Sequence, residues 1–532
     1  MSTTEIRESP TIEIECGQVR GRTYVFRGSH SAASFLGIPF AESPVGELRF
    51  QRPQPIAASW SGRIRDCTQF GAYCPMISPI GAEHLPQPPQ SENNLLCLNV
   101  FAPVDLQNRP KSNLAVLFYI HAGDLTICRY LCAKDLVVVT CNYRLGLYGF
   151  LSTGDSTVPS NLGLWDQTAA LEWVKRNIHQ FGGDANNITV SGHSAGAASS
   201  DLLNLSPHSR DLFHKIAPLG GSSFCGWATE SAETIRKRAL DLAKRRGFQA
   251  VNDENTKENN RQLVEFLRRL PTDELAISFV GMPLPQNKNA IGMHVAPVFD
   301  GDFFPRSFDE LRKEAPLKPI LSGITKYEGL IFTASGEDGL EKAIAQFLQM
   351  YVPKNQLQQK LKEISDQFLL TQPEANAETR IKRLLNIISD LFISFGVWQM
   401  AESYVQHGNN NVYLYTFDYI KKGGTGVMGR LFPFEAASHG TEMPYFLGVT
   451  PIADFTSTAE DEKLTDRFTT YLANFAKYGN PNGKSDLATW LPLTSSNLLR
   501  HNVIRLETDE LREDFCDGRP LKLQKSFFQP KI

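Results

Sequence analysis

The chain has 532 residues, 42% of them hydrophobic and 21% charged, and a formal net charge of -3. This composition is typical of a globular protein and excludes an intrinsically disordered one. The small negative charge argues against a nucleic-acid-binding protein, which would normally contain a basic domain. We therefore interpret the basic clusters at 236–238 and 244–246 as solvated helix faces.

The sequence predicts a protein without a membrane span and without a secretion signal. No run approaches the roughly 18–20 apolar residues that a transmembrane helix needs. The first residues, MSTTEIRESP, are polar and lack the apolar segment of a signal peptide. The 9 cysteines show no Cys-x-x-Cys spacing, so we expect buried free thiols and no metal site. From these features we expect a cytoplasmic protein.

Five short apolar runs predict buried parallel strands, since they lack the alternation of half-exposed strands. Helical patterns lie between them, and the one at 168–181 carries an apolar stripe at three- and four-residue steps. Strands that alternate with helices predict an α/β fold with crossover connections. The stripe consists of Leu171, Val174, Ile178 and Phe181. The five runs are 114–120, 136–143, 187–192, 318–323 and 411–417.

Two mostly helical, charged segments interrupt this alternation, at about 229–275 and 336–408. Neither is bordered by a linker rich in Pro, Gly or Ser, so we interpret both as insertions over one sheet. The sequence therefore predicts a single domain at 12–520, with flexible ends at 1–11 and 521–532.

The segment NITVSGHSAGAASS, residues 187–200, places the pattern Gly-x-Ser-x-Gly between a predicted strand and a run of small residues. In this setting the pattern is typical of a sharp turn that lifts a serine hydroxyl above the edge of a sheet. Glycines are needed at both ends because a side chain there would collide with the neighbouring strand or helix. Ser194 is therefore the predicted nucleophile, and the helix N-terminus behind it would favour developing negative charge.

A nucleophilic serine needs a histidine base and an acid that orients the base. In this kind of fold the acid and then the histidine follow the serine along the chain, on loops after later strands. Glu328 follows the predicted strand at 318–323, and His439 lies in a glycine-containing loop. The pattern alone leaves each of them one candidate among several, because the chain has 11 His.

Five segments of the chain together are similar to one enzyme family. They are FLGIPFAESPVGELRF (35–50), NYRLGLYGFL (142–151), the stretch 161–196, GITKYEG (323–329) and SHGTEMPYFLG (438–448). Over about residues 12–520, the chain resembles the type-B carboxylesterase/cholinesterase family of α/β-hydrolases. The resemblance implies that Ser194 is the nucleophile, Glu328 the orienting acid and His439 the general base.

The same resemblance implies an α/β-hydrolase fold, with a central, mostly parallel sheet flanked by helices and with helical insertions over the active site. It implies a small-molecule ester as substrate and no metal or organic cofactor. Arg144 and Asp166 fall where the family has a buried ion pair, which we expect to support the fold and not the chemistry.

Three departures from the family argue against a cationic substrate. The residue before the nucleophile is His193, where family members usually carry glutamate. Residues 76–90 contain no Trp where cholinesterases stack choline, and Ile331 stands where they have an aromatic residue. Cation–π stacking needs such rings, so the predicted substrates are neutral, fairly apolar esters.

The disulfides of the secreted relatives are not matched by this chain. Cys74 corresponds to one half of their first bridge, but the partner position falls at Leu95, with Cys97 two residues further on as an alternative partner. The positions of the second bridge fall at Phe248 and Phe266. A reducing compartment permits this loss, which again favours the cytoplasm.

The loop after the strand ending at Ile120 departs most from the family. A His-Gly-Gly-Gly-Phe type loop there supplies backbone N–H groups to an oxyanion hole, together with the residue after the nucleophile, here Ala195. This chain reads HAGDL from 121 and reaches its next strand sooner. One interpretation keeps the register, with Gly123 and Asp124 as donors. The other treats Asp124 as the cap of a helix, which leaves the donor loop largely missing.

The sequence thus predicts a serine carboxylic ester hydrolase that acts through an acyl-enzyme. Losing one oxyanion donor typically lowers turnover by about 10²–10³-fold, so the short loop predicts impaired activity if it lacks donors. The alternative is a catalytically weak or inactive relative that serves as a binding or interaction module. A mispredicted exon boundary that removed part of the loop is a third possibility.

Overall fold

A large twisted β-sheet with helices on both faces forms the centre of the protein, as seen in a computed structural model. The structure describes residues 5–26, 30–57, 59–77, 89–121, 129–250, 252, 254–277, 294–368, 376–425, 432–448, 457–484 and 489–527. The loop at 122–128, which contains Gly123 and Asp124, lies outside these residues.

The described residues form two sheets. The large sheet has twelve strands in the order β1-β4-β5-β7-β9-β8-β10-β11-β12-β13-β14-β15, and the small sheet has the order β2-β3-β6. The strands are β1 Glu5–Glu8, β2 Ile12–Ile14, β3 Gly17–Arg20, β4 Arg22–Phe26, β5 His30–Pro39, β6 Ile64–Asp66, β7 Cys97–Val104, β8 Leu114–Ile120, β9 Val137–Cys141, β10 Gly183–His193, β11 Lys215–Leu219, β12 Ile320–Thr325, β13 Val412–Phe417, β14 His501–Ile504 and β15 Glu510–Arg512.

The centre of the large sheet is parallel, as the apolar runs predict. All pairings from β9 through β8, β10, β11, β12 and β13 to β14 are parallel, whereas the outer pairings are antiparallel. The five predicted strands are β8, β9, β10, β12 and β13. Alternate residues of β8 enter different cores, with Val116, Phe118 and Ile120 on one face and Leu117 and Tyr119 on the other.

Helices cover both faces and fill the two predicted insertions. The α-helices are α1 Arg129–Cys132, α2 Gly146–Phe150, α3 Leu162–Asn177, α4 Ala195–Leu205, α5 Ala232–Arg245, α6 Lys257–Arg269, α7 Thr272–Leu275, α8 Phe308–Glu314, α9 Gly336–Leu348, α10 Leu357–Gln367, α11 Ala377–Ser389, α12 Phe395–Gln406, α13 Pro444–Leu447, α14 Ala459–Tyr478 and α15 Arg519–Phe527. A π-helical turn, Asp390–Ser394, joins α11 to α12.

The apolar stripe predicted at 168–181 packs into the core. Leu171 and Val174 lie on α3, and Ile178 and Phe181 lie on the 3-10 helix Ile178–Phe181 that continues it, all fully buried. Gly182 then ends the helical segment in the left-handed conformation, with φ 81°, that glycine adopts without steric cost.

Both predicted flexible ends contain secondary structure. Strand β1 pairs with β4 along the sheet edge, and α15 extends through residues 521–527. The division of the chain into one domain at 12–520 stays a prediction.

One helical stretch is long and apolar enough to cross a membrane by composition alone. It is Glu378–Gln406, whose mean hydropathy over an 18-residue window is 1.4. Within that window 83% is buried inside the protein, which is expected of a core helix.

The predicted ion pair between Arg144 and Asp166 is buried in the core. Nη2 of Arg144 lies 2.6 Å from Oδ1 of Asp166, and its Nε and backbone N–H both donate to Oδ2, at 2.8 and 3.0 Å. A further N–H donates to the carbonyl oxygen of Gln51 at 2.7 Å. The buried polar atoms of this pair have hydrogen-bond partners, which supports the structural role that we expect for it.

The disulfide positions of the relatives are occupied differently here. Cys74 and Cys97 are both free, and their Sγ atoms hydrogen-bond to the backbone of Leu145 and Asn94. Phe248 and Phe266 contact each other instead of forming a bridge, with ring centroids 5.1 Å apart. An aromatic contact therefore holds together the two segments that a covalent bond would join.

Candidate active site

The serine of the Gly-x-Ser-x-Gly pattern lies in a strained turn between β10 and α4. Ser194 has φ 58° and ψ -117°, an unusual conformation for a residue with a side chain. Its N–H donates to the carbonyl oxygen of Leu219, and its own carbonyl accepts from Ala198. The hydrogen bonds on both sides hold the strained residue at the carboxyl end of the parallel strands.

Both glycines of the pattern are required by close backbone contacts. A Cβ on Gly196 would lie 2.1 Å from the carbonyl oxygen of Ile120 at the end of β8. A Cβ on Gly192 would lie 2.5 Å from the carbonyl carbon of Gly196 in α4. Side chains at these two positions would therefore collide with the neighbouring strand and helix, as the sequence predicts.

The predicted acid and base lie on loops after β12 and β13, and these loops pair with each other. Tyr327, next to the acid, donates its N–H to the carbonyl oxygen of Ala437 at 3.0 Å and bridges to Ser438, next to the base. Glu328 is fully buried, and its Oε1 accepts the N–H of Thr325 at 2.6 Å. The parallel register of β12 and β13 therefore brings together two residues that are far apart in sequence.

The three predicted residues form one continuous hydrogen-bonded chain. Nε2 of His439 lies 2.8 Å from Oγ of Ser194, and its Nδ1 lies 2.6 Å from Oε2 of Glu328. The Ser194 hydroxyl is half-buried, whereas the carboxylate is fully buried. This arrangement can transfer a proton from the serine to the histidine while the carboxylate orients the ring.

One of the three predicted oxyanion donors lies among the described residues. Ala195 is exposed and begins α4, so its N–H has no intrahelical acceptor and can face a ligand above Ser194. Gly123 and Asp124 lie outside the described residues. The strand that leads to them ends at Ile120, and the next residue is the buried His121, whose carbonyl accepts the hydroxyl of Tyr143 at 3.0 Å. Burial lowers the pKa of His121 to about 4, so its ring is neutral at physiological pH.

A second histidine and a second carboxylate lie directly beside the base. The ring of His193 lies 4.6 Å from that of His439, and its Nε2 lies 3.2 Å from Oε1 of Glu442. Burial alone would lower the pKa of His193, but the Glu442 carboxylate outweighs burial and raises it. Burial would raise the pKa of Glu442, but the His193 imidazolium outweighs it and lowers that pKa.

An aromatic cluster forms the wall next to His439. The edge of Phe392 faces His439, with ring centroids 5.3 Å apart. Behind it, Phe332 lies 4.8 Å and Phe347 5.3 Å from the same ring, and Trp227 lies 6.1 Å away. The site is therefore apolar on the side that flanks the base.

Phe392 reaches this position because it lies on the π-helical turn. A π turn leaves backbone groups without their usual partners, and two of these are satisfied by side chains. Trp227 donates its indole N–H to the carbonyl of Phe392 at 2.7 Å, and Tyr351 donates its hydroxyl to that of Leu391 at 2.9 Å. The irregular turn is thus a stable part of the wall.

Glu442 and Phe392 lie at the site but are not among the residues predicted from the sequence. Glu442 had an available signal, since it follows His439 by three residues inside a segment used for the resemblance. Phe392 had none, because a π turn has no recognisable sequence pattern. Within the described ranges no group of three or more His, Cys, Asp or Glu side chains could hold a metal ion.

Comparison with known proteins places the chain among ester-cleaving enzymes. The model of the carboxylesterase family matches residues 8–517. Esterase cest-33 of Caenorhabditis elegans is 37% identical over 538 residues, which cover 97% of this chain and 93% of that protein. This similarity extends over nearly the whole of both chains.

Two further relatives have different named activities. An acetylcholinesterase of Bungarus fasciatus is 32% identical and covers 94% of this chain and 83% of its own. The medium-chain fatty acyl-CoA hydrolase precursor of Anas platyrhynchos is 32% identical and covers 92% of this chain and 88% of its own. All three names denote hydrolases, so the comparisons do not support the alternative of a non-catalytic binding module.

Proposed function

The chain belongs to the carboxylesterase family and is a serine ester hydrolase, and from this premise we propose that it cleaves neutral, fairly apolar esters through an acyl-enzyme on Ser194. The observation that carries the proposal is the hydrogen-bonded chain from Ser194 through His439 to Glu328.

In the first half of the reaction, Oγ of Ser194 attacks the ester carbonyl carbon as Nε2 of His439 accepts its proton. Glu328 accepts a hydrogen bond from Nδ1–H of His439, which fixes the tautomer and stabilises the imidazolium. The tetrahedral intermediate then collapses, Nε2–H protonates the departing alkoxide, and an acyl-serine remains. In the second half, His439 deprotonates a water molecule, which releases the acid and restores the serine.

The negative oxygen of the tetrahedral intermediate needs backbone donors. Ala195 is one proposed donor, since its N–H stands at the free N-terminus of α4 next to Ser194. Gly123 and Asp124 remain the other proposed donors. Because a single donor is worth about 10²–10³ in turnover, the measured rate will show whether the short loop supplies them.

The preference for neutral, apolar esters is supported by the groups around the base. The wall formed by Phe392 and the rings behind it offers apolar contact to an ester substituent. On the other side, the carboxylate of Glu442 is already paired with His193. No unpaired anion among these described residues would attract a cationic substrate.

The test is hydrolysis of p-nitrophenyl acetate and p-nitrophenyl hexanoate by the wild-type protein and by Ser194→Ala. We expect turnover of both esters by the wild type and a loss of at least 10³-fold in the variant. Intact-mass measurement after rapid quenching should show one added acyl group on the wild type and none on the variant. Equal turnover by the two proteins would refute the proposal.

A second comparison tests the charge preference. Acetate esters of choline and of its uncharged carbon isostere have the same shape, so their kcat/KM ratio isolates the cation. We expect the neutral ester to be the better substrate. A preference for the choline ester would refute this part of the proposal and leave the serine mechanism intact.

We also propose a cytoplasmic location. Cys67, Cys74, Cys97, Cys141 and Cys225 are buried thiols outside any disulfide, which a reducing compartment permits. Fractionation of cells that express the untagged chain should find it with cytosolic markers, and recovery from the medium would contradict the proposal.

A further inference from the structure

The pair formed by His193 and Glu442 takes no part in the proposed bond-breaking steps, although it touches the base. Their side chains are 4% and 0% exposed, so both groups are withdrawn from solvent. The two imidazole rings lie at 37° to each other and 4.6 Å apart. The site thus contains two imidazole–carboxylate pairs side by side, one of which holds the nucleophile.

This pair is poorly satisfied, unlike most buried polar groups. Within the described residues, neither carboxylate oxygen of Glu442 accepts a hydrogen bond, and Nε2 of His193 approaches Oε1 without hydrogen-bond alignment. The attraction between the two groups is therefore mainly that of opposite charges at 3.2 Å in a dry environment.

We propose that His193 and Glu442 are positioning residues that balance each other's charge beside His439 and thereby set the pH range in which the base is active. This inference rests on the proposed function of Ser194 and His439. The charge of the pair as a whole is zero when both members are ionised. The base then feels only the small field of a dipole, although two buried charges lie next to it.

Other titratable groups surround the pair. Glu328 lies close enough to raise the pKa of His193, and it is part of the reacting chain. Tyr415 on β13 is fully buried, and burial together with the two carboxylates raises its pKa well above the usual range. Tyr119 on β8 adjoins Tyr415 and is likewise a phenol. Among the described residues, His193 and Glu442 are therefore the charged neighbours of His439 that lie outside the reacting chain.

The two single substitutions have unequal consequences. In His193→Gln the Glu442 carboxylate loses its counterion, and protonation of His439 is the change that compensates it, so the imidazolium form of His439 is favoured. In Glu442→Gln the buried His193 loses its partner and becomes neutral, so the charge near His439 is again zero. The double variant also has zero charge. We therefore expect only His193→Gln to impair the base, because it alone leaves a carboxylate without a counterion.

The experiment measures kcat/KM for p-nitrophenyl acetate against pH. We expect the acid limb of His193→Gln to move up by about one pH unit or more, which lowers kcat/KM at least tenfold below that limb. Glu442→Gln and the double variant should keep the limb near that of the wild type. Tyr415→Phe is the matched control, since it alters a neighbouring buried group without changing charge, and its limb should not move.

The rescue of His193→Gln by the second substitution separates the proposal from a structural role. An equal shift in the single and double variants, or no shift in the single variant, would overturn it. A second readout does not depend on catalysis: titration of ring-labelled histidines by NMR. The His193 resonance should titrate at lower pH in Glu442→Gln than in the wild type, and identical titrations would overturn the proposal. If no variant or wild type hydrolyses esters, the proposed function fails, while this titration still tests the pair.

Discussion

Two buried pairs of acidic and basic residues are built in opposite ways. One joins Arg144 to Asp166, and the other joins His193 to Glu442. Asp166 receives three hydrogen bonds from Arg144, whose remaining donor reaches a backbone carbonyl. The carboxylate of Glu442 lies 3.2 Å from His193 and has no aligned hydrogen bond among the described residues. The first pair joins a permanently charged guanidinium to a carboxylate, and the second contains an imidazole that can lose its proton.

The difference indicates how each pair is used. A saturated network rigidifies the core and gains nothing from a change in protonation. An unsaturated, titratable pair in contact with a reacting base can alter the chemistry, because perturbed groups of this kind concentrate at functional sites. Substitutions in the first pair should therefore affect folding, and substitutions around the second should affect the pH dependence of activity.

The largest expected effect is the loss of stability when the pair of Arg144 and Asp166 is broken. Arg144→Met should lower the free energy of unfolding by about 3–5 kcal/mol, since it leaves a buried carboxylate without its partner. Denaturant unfolding checks this value. Arg20→Met is the matched control, because it removes an arginine from an exposed pair with Glu8, where we expect less than about 1 kcal/mol. A similar loss in both variants would remove the distinction between buried and exposed pairs.

The next effect comes from displacing His193 without altering its charge. Gly220 has φ +62°, and a Cβ there would lie 3.0 Å from Nε2 of His193. Gly62 has φ +79° and open space around it, so Gly62→Ala has a similar backbone strain without the contact. We expect Gly220→Ala to lower kcat/KM by about tenfold through displacement of the rings, and Gly62→Ala to leave it within about twofold. Equal kinetics for the two variants would show that His193 tolerates displacement.

A smaller effect is expected in the pH dependence of stability. The raised pKa of His193 contributes stability below its ordinary value of 6.5, and this is lost as pH rises through the folded value. The lowered pKa of Glu442 contributes stability above its ordinary value of 4.5, and this is lost as pH falls through the folded value. The coupling energy from His193→Gln, Glu442→Gln and the double variant should thus be largest between these values, at about 1 kcal/mol. A coupling energy that does not vary with pH would contradict an ionised pair.

The smallest effect lies away from both pairs, at the aromatic contact in place of a disulfide. Phe248→Leu should lower the free energy of unfolding by about 0.5–1.5 kcal/mol, as expected for loss of one ring from such a contact. Phe299→Leu is the control, because that side chain is 53% exposed and its replacement should change stability by less than about 0.5 kcal/mol. If the two losses are equal, the ring contact with Phe266 adds nothing measurable.

The central strands and the serine turn could be predicted from the sequence because their signals are local. Buried parallel strands show as apolar runs, and the turn at Ser194 shows as two glycines that the backbone contacts require. His439 and Glu328 needed the family resemblance, since their proximity depends on the register of β12 and β13. Local patterns contain no information about which loops a sheet will bring together.

Other parts of the site could not be predicted for physical reasons. The position of Phe392 beside His439 depends on a π turn whose carbonyls accept hydrogen bonds from Trp227 and Tyr351, from distant segments. The departure at His193 was visible in the sequence, and Glu442 lies in a segment used for the resemblance, but no sequence pattern indicated that the two residues pair. That pairing arises only when the loop after β13 folds back over the end of β10. The predicted donors Gly123 and Asp124 stay predictions.

The buried thiols of Cys225 and Cys141 can report how often the structure around each of them opens. Cys225 is buried, and its Sγ lies 3.8 Å from the carbonyl oxygen of Ile393 in the π turn, while burial raises the pKa of its thiol to about 12. An alkylating reagent can reach such a thiol only when the surrounding structure separates. The rate of modification at Cys225 therefore measures how often the aromatic wall opens, and the rate at Cys141, the last residue of β9 in the central sheet, measures how often the core does.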